Sequence, residues 1–262
     1  MNEPDLLTQI RYVCSAAILL AGISMPLAAM ADSDSAKKVS PAPPVLTGGY
    51  SMDYNSRYIW RGIAYSRKSV AQPSVWISHS NLTLSFWGNG ALASTDGGAW
   101  NEFDWTVSDA TSWGHTSIEA DYEVYTYPYQ HDSPSTGEAT LKLSLPVGSL
   151  RVFTTQNFDV MRYPGSYYGE AGISGERRLT AGWNGDAAVT VGFGSARFNE
   201  VYLGRHQAAL NMVGLDLGLA HSVGVFAIRP HITTTSLLDH TLRQQESQPD
   251  LVSFGLSIER DW

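Results

Sequence analysis

The chain is poor in the residues that build disulfides and metal sites. Its one cysteine, Cys14, falls inside an apolar N-terminal stretch, so the rest has no thiol for a disulfide, a thiolate metal site or a thiol nucleophile. The seven histidines show no HxxxH or HExxH spacing, which excludes the common zinc hydrolase motif. Charged residues are only 16% of the chain, and the formal net charge of −8 argues against nucleic acid as a partner.

Long apolar runs are confined to the N terminus. The run at 12–29 is followed by Ala-Met-Ala at 29–31, so residues 1–31 are predicted to be a secretory signal peptide. The run is nearly long enough to span a bilayer and its flank is acidic, so a retained anchor is the alternative. Residues 32–46 are polar and proline-rich and predict a disordered periplasmic lead-in. No later segment has 18 uninterrupted apolar residues, so no transmembrane helix is expected after the signal.

Alternation of period 2 dominates what remains. In the last segment Val252, Phe254, Leu256, Ile258 and Trp262 share one face, and small or acidic residues occupy the other. Such alternation predicts an all-β fold, and we expect residues 47–262 to form an up-and-down antiparallel barrel of the bacterial outer membrane. The twelve predicted strands are 47–60, 70–80, 82–92, 101–111, 116–126, 138–146, 150–158, 168–182, 186–196, 206–219, 225–238 and 251–262.

The connecting segments support an outer-membrane barrel over the alternative, a soluble β-sandwich or β-barrel exported to the periplasm. Links after the odd strands are long, and links after the even strands are tight turns at Asn81, near Gly114, at 146–148, at 184–185 and at Gly224. Outer-membrane barrels have short periplasmic turns and longer extracellular loops. Trp, Tyr and Phe are 11% of the chain, and a barrel places such residues in girdles at the membrane interfaces. Tyr58, Trp60 and Trp262 are predicted to belong to these belts.

Charged residues on the polar face are the candidates for a pore lining. They are Asp53, Arg57, Glu102, Asp104, Glu119, Asp121, Glu123, Lys142 and Arg151. With a turn centred near 112–113, Asp104 is expected opposite Asp121, and Glu102 opposite Glu123. Like charges facing each other across a ladder are unfavourable unless water, a base or a cation offsets them. A salt-bridged plug without traffic remains the alternative, because narrow barrels can be filled by their own side chains.

The first long loop carries Arg61, Arg67 and Lys68, which predict an extracellular basic cluster for lipopolysaccharide phosphates or for steering anions. Two His-Ser dipeptides, at 79–80 and 221–222, leave a membrane-embedded lipid hydrolase as a weak hypothesis, since neither has an evident carboxylate partner. We therefore assign no catalytic residue, metal or cofactor. The expected partners are outer-membrane lipids, lipopolysaccharide, the barrel-assembly machinery through the C-terminal strand, and small polar solutes.

The opening strand carries a more specific pattern, Ser56-Arg57-Tyr58-Ile59-Trp60-Arg61-Gly62. A strand of the form SRYxWRG resembles a widespread group of poorly characterised Gram-negative outer-membrane proteins that includes the TorF-type porins. Further similar segments are QPS at 72–74, FWGN at 86–89, NEFD at 101–104 and LLD at 237–239. The resemblance implies an outer-membrane barrel and a porin-like role, and it brings no catalytic residues.

The leading hypothesis from the sequence is therefore a narrow porin or channel for small polar solutes. A non-conducting structural or assembly barrel of an envelope or secretion complex is the second hypothesis.

Overall fold

The computed structural model describes residues 45–93, 100–128, 130, 133–180 and 182–262. The predicted signal peptide, 1–31, lies outside this part of the chain. The predicted lead-in, 32–46, is described only at its last two residues, and Leu46 already begins the first strand.

Twelve antiparallel strands form a closed barrel, which confirms the predicted fold. The barrel closes where the first strand pairs with the last, with Met52 opposite Ile258 and Tyr54 opposite Leu256. The elements in chain order are β1 (Leu46–Asn55), β2 (Tyr58–Trp60), β3 (Ile63–Ser66), β4 (Val70–His79), β5 (Leu82–Ala91), β6 (Trp100–Trp113), β7 (Thr116–Thr126), β8 (Thr136–Val147), β9 (Leu150–Asp159), β10 (Tyr167–Thr180), β11 (Trp183–Gly194), α1 (Ala196–Leu203), β12 (Ala209–Val223), β13 (Phe226–Leu237), α2 (His240–Arg243) and β14 (Asp250–Asp261). All strands except β2 and β3 belong to the barrel wall.

The two faces of the wall differ as the alternation predicts. On β1, Tyr50, Met52 and Tyr54 are exposed on the outside, whereas Ser51 and Asp53 are buried on the inside. The same division holds on β14, where Phe254 is 57% exposed and Ser253 is 3% exposed. An apolar outer face around a polar interior suits a barrel with hydrocarbon outside.

In the part of the chain that the structure describes, no helix has the length and hydropathy needed to cross a bilayer.

The two ends of the barrel are built differently. At one end, here called the turn end, neighbouring strands are joined by tight turns whose left-handed residues include Ser80, Gly114, Gly148 and Gly224. The opposite end, here called the loop end, carries the long connections, among them the segments with α1 and α2. The predicted alternation of short and long links is therefore present, but the turn predicted at 184–185 was wrong, because β11 already begins at Trp183 and the left-handed residue is Gly182.

Inside the loop end lies a second, two-stranded sheet. Strands β2 and β3 form a hairpin, residues 58–66, which we call the inner hairpin. The sequence reading placed 58–60 at the end of the first wall strand, but that strand ends at Asn55, and the hairpin folds inward. Tyr58 is 7% exposed and packs with Val70 and Trp87, and Trp60 packs against them. These two aromatics are therefore interior residues, not members of an outer belt, because burying them in the barrel gives them apolar partners. Trp262 is 59% exposed at the turn end.

Burial along the interior shows which end is closed. Interior side chains near the loop end, such as Tyr168, Met212 and Leu237, are at most 1% exposed because the inner hairpin and α1 cover them. Interior side chains near the turn end, such as Ser112 and Glu176, are exposed. Among the described residues, the barrel thus resembles a cup that is open at the turns and filled at the loops.

Two further expectations differ from the structure. The β6–β7 hairpin turns at Gly114, so Asp104 faces Tyr125, while Asp121 faces Ser108 and Glu123 faces Thr106. The predicted Asp104–Asp121 and Glu102–Glu123 pairs were wrong: this register separates the like charges. The tenth wall strand, predicted at 206–219, runs from Ala209 to Val223. It begins later than predicted because the preceding loop forms α1, which has its N-cap at Ser195 and its C-cap at Gly204.

Candidate functional site: the charged interior of the barrel

The interior of the barrel is strongly acidic. Ten carboxylate side chains of the described residues are buried, and the arginines buried with them are Arg61 and Arg229. The ten are Asp53, Glu102, Asp104, Glu119, Asp121, Glu138, Asp159, Glu170, Asp186 and Asp216. Because isolated buried charges are costly, the pairing of each carboxylate decides what the interior can do.

Arg61 holds the inner hairpin in place. Its guanidinium donates two hydrogen bonds to Glu138, at 2.8 Å to Oε1 and 2.6 Å to Oε2. The Arg61 Cζ lies 4.3 Å from the ring centre of Trp60 and 4.7 Å from that of Tyr168. A bidentate, buried pair between aromatic faces fixes both position and orientation.

The conformation of Arg61 shows how firmly it is held. Arg61 and Gly62 form the two-residue turn of the inner hairpin with φ of 51° and 81°. A residue with a side chain is disfavoured at such a left-handed position. Burial by itself lowers the pKa of Arg61, but the charge and hydrogen bonds of Glu138 raise it well above its ordinary value. The guanidinium therefore remains charged, and its pairing with Glu138 holds the strained turn.

A second cluster lies on β7 and β8, further from the inner hairpin. The Lys142 Nζ lies 2.9 Å from Glu119 Oε1 and 2.8 Å from Asp121 Oδ2. One ammonium group thus bridges two carboxylates on the neighbouring strand. All three residues belong to the predicted lining set, and the structure brings them together.

The third cluster lies across the barrel, on β11, β12 and β13. Arg229 contacts Asp186, with its Nη2 2.6 Å from Oδ2, and it also contacts Asp216. To reach Asp186 the Arg229 side chain passes over Gly218, where a Cβ atom would collide with the guanidinium. This cluster was missed by the sequence reading, although alternation on β13 puts Arg229 on the polar face.

A chain of hydrogen-bonded side-chain amides runs along the inner face of the wall from β1 through β4 and β5 to β6. Asn55 donates to Gln72 at 2.9 Å, Gln72 to Asn89 at 2.9 Å, and Asn89 to Asn101 at 2.6 Å. The ring of His231 joins this chain at its other end, 3.1 Å from Asn55 Oδ1. These neutral groups were also missed, because only charged residues were considered as lining candidates.

Between the inner hairpin and the Lys142 cluster lies an enclosed space of about 30 Å³, which we call the acidic cavity. Tyr58, Trp60 and Arg61 of the hairpin line it, as do Asp104, Thr106, Asp121, Glu123, Tyr125, Thr140, Lys142, Thr155 and Asn157 of the wall. The Tyr125 hydroxyl lies between two acids of this region, 2.7 Å from Glu123 Oε2 and 3.0 Å from Glu138 Oε2.

The predicted lining residues fall into two groups. The structure brings Asp104, Asp121, Glu123 and Lys142 together around the acidic cavity, with Glu119 behind them. Three others lie elsewhere on the interior: Asp53 on β1, Glu102 near the hydroxyls of Tyr58 and Tyr127, and Arg151 donating to Ser144. Arg57 does not lie on the interior wall as predicted, because β1 ends at Asn55 and Arg57 donates to Gln248 among the exposed loops. That these residues line a conducting pore stays a prediction.

The predicted basic cluster is divided. Arg67 and Lys68 lie exposed, where Arg67 donates to Ser247 and Lys68 to the carbonyl of Ala93 at 3.3 Å. Arg61 does not join them, because its side chain is buried against Glu138. Glu138 was missed as its partner, although it shares the polar face of β8 with Lys142.

The His-Ser dipeptides lie at the turn end. His79 ends β4 and Ser80 forms the turn, while His221 stacks on Trp183 with ring centres 4.5 Å apart. The His221 Nδ1 lies 2.6 Å from the carbonyl oxygen of Gly182, so its ring is positioned by backbone and an aromatic neighbour. Neither dipeptide shows a carboxylate partner in the described part of the chain.

Comparisons with known proteins give similarity only at the level of fold. No protein-family model and no curated protein matches the sequence. Among solved structures, the KdgM porin is similar over 82% of this chain and 98% of its own, at 10% identity and a TM-score of 0.47. The NanC porin is similar over 82% and 98%, at 11% identity and a TM-score of 0.45. The outer membrane phospholipase A from Escherichia coli is similar over 83% and 97%, at 13% identity and a TM-score of 0.45.

The geometry of the chain itself identifies the kind of barrel. In the described part of the chain each strand of the wall is paired on both sides, the outer face is apolar, and the wall's inner face is polar. In a bilayer every backbone polar group needs a partner within the protein, and closed barrels satisfy that requirement with strands. These are the features of a transmembrane β-barrel.

Proposed function

We propose that the protein is a narrow channel for small polar solutes, closed at its loop end by the inner hairpin in the conformation described above. The observation that carries the proposal is the cup-shaped interior, which is polar and charged between the inner hairpin and the turn end and is exposed near the turns. Barrels that conduct have polar interiors filled with water. The hairpin is held by one buried ion pair and two apolar clusters, so it is the part whose movement would open the path.

The resemblance of the opening strand to TorF-type porins belongs to the same proposal. Its Trp60-Arg61-Gly62 segment is the tip of the inner hairpin. The motif would thus encode the closing element of the channel and not an outer aromatic belt.

A second candidate, a non-conducting structural barrel, is favoured by the packing at the loop end. Ile63 of the hairpin packs with Leu203, Ala209 and Leu242, which are all at most 8% exposed. Apolar packing of this kind also suits a permanent plug.

Planar-bilayer recording separates the two candidates. Asn55 and Val70 are partners in the β1–β4 register, so residues 56–69 can be replaced by a two-residue Asn-Gly turn without changing the wall. We expect discrete conductance steps from the unaltered protein and steps several-fold larger from the shortened one. If neither protein gives steps in potassium chloride or sodium chloride, the channel is excluded and the structural barrel is favoured.

A further inference from the structure

The acidic cavity has more carboxylates than cationic side chains once its ion pairs are assigned. Arg61 is paired with Glu138, and Lys142 is shared between Glu119 and Asp121. Asp104 and Glu123 also line the cavity, and no cationic side chain of the described residues forms an ion pair with either. Glu123 receives hydrogen bonds from the hydroxyls of Tyr125 and Thr106.

Asp104 is the least satisfied of these acids. Its side chain belongs to a residue that is 3% exposed, and its Oδ1 atom has no hydrogen-bond partner in the described protein. Asp121, which lines the same cavity, also has an Oδ1 atom without a hydrogen-bond partner in the described protein, and Lys142 contacts its Oδ2. Buried carboxylate oxygens without donors are unfavourable, so these two atoms require a donor.

We propose that the acidic cavity binds an ammonium group, either free ammonium or the head of a small primary amine. This names the solute class of the proposed channel and rests on that function for its physiological meaning. The binding groups are Asp104 and Asp121, with Glu123 supplying further negative charge.

The side chain of Lys142 shows that this part of the barrel can hold an ammonium group. Its Nζ donates to carboxylates on β7 at 2.9 and 2.8 Å, so the strand spacing here already accommodates an ammonium between two acids. An ammonium carries several N–H donors and can serve two carboxylates at once through charge-assisted hydrogen bonds. The free oxygen of Asp121 is on the same carboxylate that Lys142 uses.

The size of the cavity limits the ligand. About 30 Å³ admits one or two water-sized groups, and an ammonium is of that size. The hydroxyls of Thr106 and Thr140 line the same space and offer further acceptors. A quaternary ammonium has no N–H to donate and is larger, so it should be excluded.

The test is calorimetric titration of the refolded full-length barrel in detergent micelles at constant ionic strength. The probes are ammonium chloride, methylammonium chloride, tetramethylammonium chloride and sodium chloride. We expect the first two to bind and the last two to bind at least tenfold more weakly. Asp104→Asn should weaken methylammonium binding about tenfold, because a charge-assisted hydrogen bond is lost. Glu259→Gln removes an interior acid that does not line the cavity, and it should leave binding unchanged.

Several outcomes decide the proposal. Absence of ammonium binding, equal binding of sodium, or equal affinity of Asp104→Asn and the unaltered protein would each overturn it. If Asp104→Asn does not give the heat-modifiable migration of a folded barrel, Glu123→Gln takes its place with the same expected direction. Binding without conductance would overturn the channel and leave the ammonium site standing. Conductance without ammonium binding would overturn the ammonium site and leave the channel standing.

Discussion

The turn half and the loop half of the barrel are built from the same strands but stabilised differently. In the turn half the strands meet at tight turns, and the interior is crossed by Arg229 and its two aspartates. In the loop half the interior is occupied by chain from the loops, and Arg61 of the inner hairpin replaces water as the partner of Glu138. One half is therefore a wall around a polar space, and the other is a packed core.

This difference shows that strand alternation describes only part of a barrel. A wall residue that points inward meets solvent in one half and a loop residue in the other. The closed end therefore depends on contacts between residues far apart in sequence, such as Arg61 and Glu138, which are 77 positions apart.

Breaking the Arg61–Glu138 pair should have the largest effect on the loop half. Arg61→Asn suits the left-handed turn better than arginine does, but it leaves Glu138 buried without its cation. We expect a loss of about 3–5 kcal/mol in the free energy of unfolding, measured by urea titration of the refolded barrel. Channel conductance should rise in the same variant because the hairpin is released.

The double variant Arg61→Asn with Glu138→Gln is the matched control. It removes both charges and should recover most of the lost stability. A loss below about 1 kcal/mol for the single variant would mean that packing, and not the ion pair, holds the hairpin.

The wall could be predicted from the sequence and the filled end could not, for a physical reason. Period-2 alternation and turn residues are local, so the strand set and the short turns were predicted within a few residues. The burial of Tyr58, Trp60 and Arg61 depends on whether the strand stops at Asn55, and the local pattern continues through that point. Ser195 and Gly204, which bound α1, are the kind of capping signal that could have revealed the helix.

The Arg229 cluster offers the matching test in the turn half. Gly218→Ala places a Cβ atom against the guanidinium where it crosses β12. We expect a loss of about 1–3 kcal/mol in the same urea titration, because the arginine must move away from Asp186. Gly185→Ala is the control, since Gly185 also lies in a wall strand without a positive φ and its Cβ would meet only the flexible side chain of Leu179. Equal losses from the two variants would show that the crossing over Gly218 is not required.

Replacing the left-handed serine of a tight turn should change the free energy of unfolding less than the variants above, and should increase it. Ser80 has φ of 57°, a left-handed conformation that glycine adopts without strain. Ser80→Gly should therefore raise the free energy of unfolding by about 1 kcal/mol. Ser112→Gly, in the extended part of β6, should lower it, because glycine loses more conformational entropy in a strand. A destabilising Ser80→Gly would indicate a contact of the serine that outweighs the strain.

The smallest effect should come from an exposed counterpart of the Arg61–Glu138 pair. Arg243 Nη2 lies 2.7 Å from Asp250 Oδ2, and Nη1 lies 2.9 Å from Oδ1, so the geometry is again bidentate. The Asp250 side chain is 61% exposed, however, whereas that of Glu138 is 2% exposed. Solvent screens the exposed pair, so Asp250→Asn should lower the free energy of unfolding least of these variants in the urea titration, and less still in high salt. If Asp250→Asn lowers the free energy of unfolding as much as Arg61→Asn does, then geometry and not burial determines the strength of these pairs. The distinction between the exposed loops and the packed loop half would then have to be abandoned.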